Sequence, residues 1–188
     1  MKYADATARL AEYRRQIAAV REKMRSLQDD TEPEAVSDYE FHSADGPLRL
    51  SQLFGDREDL IVIHNMGVSC PACTMWADGF NGVLPHITSR AAFAVSSPDS
   101  PEVQRKFAAA RGWKFPMVSH AGTSFAADMG FRSAKGWLPG VSVFKRHGQR
   151  IVRVADTGFN VRDDFCAVYH LFDLLPGGSG EWCPKLKY

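Results

Sequence analysis

Cys70 and Cys73 stand three residues apart, directly after an apolar run over residues 60–64. The run predicts a strand, and the pattern that follows from residue 71 to about residue 87 predicts a helix. Pro71 suits the first turn of that helix, where its missing N–H costs nothing. Because a helix N-terminus offers unpaired N–H groups and partial positive charge, it favours a thiolate there. We expect Cys70 to attack a disulfide substrate and Cys73 to resolve the mixed disulfide.

Metal binding is the alternative chemistry for this cysteine pair. Zn or Cu could be held by the two sulfurs with help from His64 or His86. However, a zinc site normally needs a second close pair of ligands, and Cys166 and Cys183 are isolated. Cys166 lies in an apolar stretch, which predicts a buried thiol. Cys183 lies in an aperiodic tail, where a third redox thiol is the less favoured hypothesis.

Composition excludes several classes of protein. The chain has 188 residues, 45% of them hydrophobic, and a formal net charge of +1. This fits one domain with an appendage and argues against nucleic-acid and membrane-surface partners, which usually require a basic excess.

No apolar run is long enough to span a membrane, and no signal peptide is recognisable. Four cysteines are too few for a disulfide scaffold, so we expect a cytoplasmic protein. No glycine-rich nucleotide motif occurs, and we expect no cofactor.

An N-terminal amphipathic helix is predicted over residues 4–28, within a segment of residues 1–30. Apolar residues recur there at alternating spacings of three and four, namely Tyr3, Ala6, Leu10, Tyr13, Ile17, Val20, Met24 and Leu27. The stripe covers just over three heptads. It could pack on its own domain, or it could contact a second copy of the chain in a homodimer.

The remaining chain divides into a linker over residues 31–38, a domain over residues 39–178 and a tail over residues 179–188. Strands and helices alternate in the domain, which predicts an α/β fold with a central mixed sheet. The predicted strands cover residues 39–42, 48–50, 60–64, 93–96, 115–119, 141–145 and 150–155. Besides the helix that follows Cys70, helices are predicted over residues 101–110 and 161–175.

The active-site unit resembles the thioredoxin-like superfamily. The likeness is carried by the strand at residues 60–64, by the Cys70–Cys73 motif with its helix, and by the sequence Leu-Pro-Gly-Val-Ser-Val-Phe at residues 138–144. It implies that Pro139 is a cis-proline that contacts the substrate backbone. The position six before Cys70 often holds a buried acid in thioredoxins. Here it holds His64, which could accept a proton from Cys73 or could be a hydrogen-bonded core residue.

Two tryptophans are weaker site candidates. Trp137 precedes the proposed cis-proline and could line a substrate groove, or it could pack on the surface. Trp76 follows Cys73 by three residues and shares its helix face, so it could wall the redox site. Core packing is the favoured interpretation of Trp76.

Most of the chain is similar to an uncharacterised bacterial family, domain of unknown function 899, which has a thioredoxin-like fold. The motifs that carry this similarity lie at residues 64–67, 70–73, 76–82, 112–116 and 140–144. Residues 50–54 and 115–119 look like the peroxiredoxin branch of the superfamily. That branch has Pro and Thr seven and three residues before its reactive cysteine, where this chain has Ile63 and Gly67. We therefore expect an efficient peroxidase to be disfavoured.

Taken together, the residues and the resemblance favour a thiol–disulfide oxidoreductase. Its substrate would be a protein or small-molecule disulfide, and the residues do not identify its thiol reductant. A dimeric interaction module with a vestigial redox site is a further hypothesis.

Overall fold

The computed structural model describes residues 1–188, which form two compact units, Met1–Pro33 and Glu34–Tyr188. The first unit is helix α1, Tyr3–Asp29, and the predicted N-terminal helix is thereby confirmed. None of its residues is buried. The helix ends where the Thr31 hydroxyl donates to the Leu27 carbonyl at 2.7 Å, which pairs one of the last free carbonyl groups. No helix of the chain is both long and apolar enough to cross a membrane.

The second unit is built on an eight-stranded mixed sheet with the strand order β1-β10-β9-β4-β5-β6-β2-β3. Strands β4, β5 and β6 are parallel, and the other pairs are antiparallel. A separate pair, β7 and β8, forms a small hairpin. The strands are β1 Glu34–Val36, β2 Glu40–Ser43, β3 Gly46–Arg49, β4 Asp59–His64, β5 Ala92–Ser97, β6 Met117–Ser119, β7 Arg132–Ser133, β8 Gly136–Trp137, β9 Gly140–His147 and β10 Arg150–Gly158.

Helices cover both faces of this sheet, which confirms the predicted fold class. The helices of this unit are α2 Leu50–Leu53, α3 Pro71–Arg90, α4 Pro101–Arg111, α5 Phe125–Asp128 and α6 Ala167–Phe172. Alternate residues of β4 face opposite ways: Ile61 and Ile63 belong to one apolar cluster, and Leu60 and Val62 to the other. Helices α3 and α4 contribute to the first cluster, and α2 and α5 to the second.

The predicted linker over residues 31–38 is partly a strand. Residues of β1 pair with β10, with Glu34 opposite Arg153. The Arg153 guanidinium also donates to the Glu34 carboxylate, with Nε 3.0 Å from Oε2. A three-residue strand carries too little periodicity to be recognised, and its partner lies far along the chain.

The last helix is shorter than the predicted range of residues 161–175. Arg162 has a φ of 76°, which is incompatible with a right-handed helix. The Asp163 carboxylate accepts from the backbone N–H groups of Asn160 and Phe165, at 3.0 and 2.9 Å. Such side-chain bonds offer the backbone an alternative to helical pairing, so α6 begins only at Ala167.

Candidate functional site

Cys70 and Cys73 form a disulfide at the N-terminus of α3, with 5.3 Å between their Cα atoms. Cys70 is the N-cap residue, with an extended backbone, and Pro71 occupies the first helical turn. The Cys73 N–H donates to the Cys70 sulfur at 3.1 Å. The Cys70 carbonyl accepts from both the N–H and the hydroxyl of Thr74, at 3.1 and 3.0 Å. The first turn of α3 therefore fixes Cys70 by its side chain and by its backbone.

The loop between β4 and α3 is held by two acceptors that the motif search did not identify. The Asn65 side-chain oxygen accepts from the Gly67 N–H at 2.8 Å. The Asp99 carboxylate accepts from the Val68 N–H at 3.0 Å and from the Ser97 hydroxyl at 2.9 Å. Gly67 has a φ of 110°, and a Cβ there would lie 3.1 Å from the Asp99 carboxylate. Asp99 thus positions the loop that delivers Cys70 to the helix start.

Replacing Asp99 by Ala should lower the free energy of unfolding by about 1.5–3 kcal/mol, because hydrogen bonds to charged groups contribute on this scale. Both the Val68 N–H and the Ser97 hydroxyl would lose their acceptor. Urea denaturation of the disulfide form measures this change. Asp56→Ala, at an exposed position, is the matched control and should change stability by less than about 0.5 kcal/mol. Equal effects of the two substitutions would remove Asp99 from this role.

The disulfide lies beneath a cover of apolar and aromatic side chains. Cys70 is 8% exposed and Cys73 is 3% exposed. Trp76 is buried in the same apolar cluster, as the core-packing interpretation expects, and its ring lies 5.2 Å from that of Phe159. The Trp76 indole N–H also donates to the Asp163 carboxylate at 3.4 Å. Of the two sulfur-bearing residues, Cys70 is the more accessible to a substrate.

His64 does not lie beside the cysteine pair, contrary to the hypothesis that it accepts a proton from Cys73. Its ring stacks on Phe131 at 3.9 Å, on the face of the sheet opposite α3. Nε2 of the ring is 2.9 Å from the Ser142 hydroxyl. Burial, reinforced by His120 and Arg153, lowers the pKa of His64 to about 3. The other interpretation of His64, a hydrogen-bonded core residue, matches its position.

Pro139 precedes β9 and is not a cis-proline, because the chain contains no cis peptide bond. Its carbonyl accepts from the Phe159 N–H at 2.9 Å, so the backbone here continues the extended pairing of the sheet. The trans form of an X-Pro bond is intrinsically favoured, and this extended segment accommodates it. Gly140 lies opposite His64 in the β4–β9 register. Pro139 therefore lies at the end of the sheet where β4 finishes and the cysteine loop begins.

Trp137 is expected from the sequence to line a substrate groove or to pack on the surface. Its contacts are with His120 and Arg132. Its ring lies 4.7 Å from His120, and the Arg132 guanidinium stacks over it at 3.8 Å. Burial, with a contribution from Arg132, lowers the pKa of His120 to about 4. Trp137 therefore packs on the buried His120.

The two other cysteines are free. Cys166 is buried within the same apolar cluster as the disulfide, as its apolar setting predicts, and Cys183 is exposed. No group of three or more His, Cys, Asp or Glu residues is arranged to hold a metal ion. His86 is exposed on α3, and His64 lies on the opposite face of the sheet. The metal-binding alternative thus finds no ligand set.

Residues 4–187 match the model of a family described as bacterial protein of unknown function, DUF899. The chain belongs to this family. The resemblance inferred from the sequence motifs is thereby confirmed over nearly the whole chain. None of the functionally curated proteins matches the sequence.

Solved structures with the same fold include proteins named as peroxiredoxins. Peroxiredoxin Q of Xanthomonas campestris is 21% identical, with a TM-score of 0.59, and the match covers 70% of this chain and 87% of that one. Peroxidoxin BcpB of Mycobacterium tuberculosis is 24% identical, with a TM-score of 0.54 and coverages of 72% and 88%. Reduced Prx3 of Vibrio vulnificus is 10% identical, with a TM-score of 0.58 and coverages of 71% and 90%.

At these identities the similarity establishes the thioredoxin-like fold alone. The similarity does not show that this chain has the activities of these neighbours. The neighbours do not support our expectation that a peroxidase is disfavoured. That expectation rested on Ile63 and Gly67 alone, so peroxide is a second oxidant to be tested.

Proposed function

We propose that this protein is a thiol–disulfide oxidoreductase in which Cys70 and Cys73 alternate between dithiol and disulfide. The observation that carries the proposal is the placement of Cys70 as the N-cap of a 20-residue helix, within bonding distance of Cys73. In the reduced form, the N–H groups of the first turn and the partial positive charge of the helix end would stabilise a Cys70 thiolate. The Cys73 N–H already points at that sulfur.

Reduction of a substrate proceeds by two exchanges at sulfur. The Cys70 thiolate attacks one sulfur of the substrate disulfide, and the other sulfur leaves as a thiolate that takes a proton from water. Cys73 then loses its thiol proton to water, and its thiolate attacks the Cys70 sulfur and releases the second substrate thiolate, which takes a proton from water. The substrate gains two electrons and two protons, and the protein is left with the Cys70–Cys73 disulfide. A thiol reductant restores the dithiol by the reverse exchanges.

The structure supports the assignment of roles within the pair. Cys70 is the more exposed residue of the two and precedes the helix, whereas Cys73 lies within its first turn. An incoming substrate therefore meets the Cys70 sulfur first. Pro71 follows Cys70 directly in the first turn of α3, and Pro139 precedes the β9 residue that lies opposite His64. We propose these two prolines as contacts for the substrate backbone.

Single cysteine variants test the proposal. The wild type should catalyse reduction of a disulfide substrate by dithiothreitol, and Cys70→Ser should lose this activity by at least 100-fold, an order-of-magnitude expectation for loss of the nucleophile. Cys73→Ser should instead accumulate a mixed disulfide between Cys70 and the substrate, visible by mass spectrometry. Cys166→Ser and Cys183→Ser are the controls and should retain activity. Equal activity of Cys70→Ser and wild type would refute the proposal.

Peroxide is the second oxidant to be tested, because the solved neighbours carry peroxiredoxin names. In that reaction the Cys70 thiolate attacks a peroxide oxygen, an alcohol or water leaves, and Cys73 condenses with the sulfenic acid to give the disulfide and water. Stopped-flow Trp fluorescence of the reduced protein compares the rates with hydrogen peroxide and with a small disulfide. Faster oxidation by peroxide would shift the proposed activity to a thiol peroxidase.

A further inference from the structure

Helix α1 carries an exposed apolar seam. Its large apolar side chains, which include Leu10, Tyr13, Ile17, Val20 and Met24, are each at least 50% exposed. They recur at two positions in every seven, starting at Tyr3 and ending at Leu27. A seven-residue repeat of this kind is the pattern by which one helix packs along another in a coiled coil.

The charges on α1 are segregated around this seam. The positions directly beside it carry basic or neutral residues and no acid, namely Lys2, Thr7, Arg9, Arg14, Gln16, Arg21, Lys23 and Gln28. All four acidic residues of the helix lie on the outer face, at Asp5, Glu12, Glu22 and Asp29. Two further arginines on that face form ion pairs with them: Arg15 with Glu12, and Arg25 with Glu22 and Asp29.

This pattern selects the kind of helix that can cover the seam. In a parallel pair of two copies, Arg9 of one helix would face Arg14 of the other. In an antiparallel pair, each flanking position faces a flanking position on the equivalent side of the other copy's seam. The residues there are again basic or neutral. No pairing of two copies brings an acid to these flanks, so like-charge pairs would weaken a homodimer. A helix with acidic flanks would instead form attractive pairs with Arg9, Arg14 and Lys23.

We propose that α1 docks on an amphipathic helix of a different protein, whose apolar seam is flanked by Asp and Glu. The narrow seam favours a helix over a lipid surface, because an interfacial helix usually presents a broader apolar face rich in Leu, Phe and Trp. The site is independent of the cysteine pair and of the redox function proposed above.

Binding of synthetic helices to the full chain tests this site. One labelled peptide of about four heptads has Ile and Leu at its seam positions and Glu at every flank, and a second has Lys at the same flanks. By fluorescence anisotropy, the Glu peptide should bind at least tenfold more tightly than the Lys peptide. The difference should shrink in roughly 0.5 M NaCl, because salt screens exposed charges.

Matched charge reversals locate the binding surface on the helix. The double variant Arg9→Glu, Arg14→Glu should weaken binding of the Glu peptide by on the order of tenfold. The double variant Arg15→Glu, Arg25→Glu makes the same change in net charge on the outer face and should alter the Kd less than about twofold. Ile17→Asp, in the seam, should abolish binding. Circular dichroism of each variant verifies that α1 remains helical.

Three outcomes would overturn the proposal. The first is equal weakening by the two double variants. The second is a dimer of the free chain in sedimentation equilibrium that Ile17→Asp dissociates, because the seam would then be covered by a second copy. The third is recruitment to phosphatidylserine vesicles without binding of the Glu peptide, which would assign the face to a membrane surface.

Discussion

Replacing Gly140 by Ala should lower the free energy of unfolding by about 3 kcal/mol or more, the upper range of overpacking penalties. A Cβ at this position would overlap the ring of Phe131 and lie 2.5 Å from the carbonyl oxygen of Thr157. Neither neighbour can retreat at low cost. The Phe131 ring is stacked on His64 at 3.9 Å, and Thr157 belongs to β10, which pairs with β9 along its length. Chemical denaturation of both proteins measures the difference.

Gly82→Ala is the matched control, since it adds the same methyl group where no atom lies within 4 Å. Gly82 lies within α3, where alanine is favoured over glycine by roughly 0.5–1 kcal/mol. The control should therefore stabilise the protein. If Gly140→Ala were neutral, the close approach of Phe131 and Thr157 to this backbone position would be incorrect.

The position of the cysteine pair could be predicted because its signals are local. An apolar strand, a Cys-x-x-Cys motif and a proline in the first helical turn are adjacent in the sequence, and together they predict Cys70 at the start of α3. The seven-residue repeat of α1 is local in the same sense. Each of these features needs only short-range periodicity and side-chain preferences, without knowledge of distant partners.

The side of the sheet on which His64 lies could not be predicted in the same way. Strand β4 is central and is covered on both faces, so its residues form a continuous apolar run instead of alternating with polar ones. Such a run contains no information about which residues share a face with α3. The roles of Asp99 and Gly140 also depend on contacts that join distant parts of the chain. The glycine in the Asn-Met-Gly loop was the one local signal of a tight turn there.

Two buried histidines, His64 and His120, make the free energy of unfolding depend on pH. His64 and His120 are each 2% exposed, and each bonds a serine hydroxyl through one ring nitrogen: His64 to Ser142 at 2.9 Å, and His120 to Ser96 at 2.7 Å. The second nitrogens, Nδ1 of His64 and Nε2 of His120, have no protein partner. Burial lowers the pKa of His64 to about 3 and that of His120 to about 4, so both rings are neutral in the folded protein.

Acidification should therefore unfold the protein well above the pH at which most carboxylates are protonated. Both histidines have folded pKa values below the unfolded value of 6.5, so between pH 6.5 and about 4 the unfolded chain binds up to two more protons than the folded one. The contribution of the two neutral histidines to the free energy of unfolding is complete above pH 6.5, and it is lost as the pH falls through this window. At pH 4.5 the combined loss is about 5 kcal/mol, a large part of the stability of an ordinary domain.

Urea denaturation from pH 7.5 to 4.5 measures this slope. His64→Gln preserves a hydrogen-bonding group for Ser142 but removes one titrating ring, so its slope should be about half that of the wild type, whatever its absolute stability. His147→Gln, at an exposed hairpin turn, should leave the slope unchanged. An undiminished slope in His64→Gln would show that His64 is protonated in the folded state. That result would be incompatible with its burial between Phe125 and Phe131, because an imidazolium ion in this aromatic setting has no counter-charge.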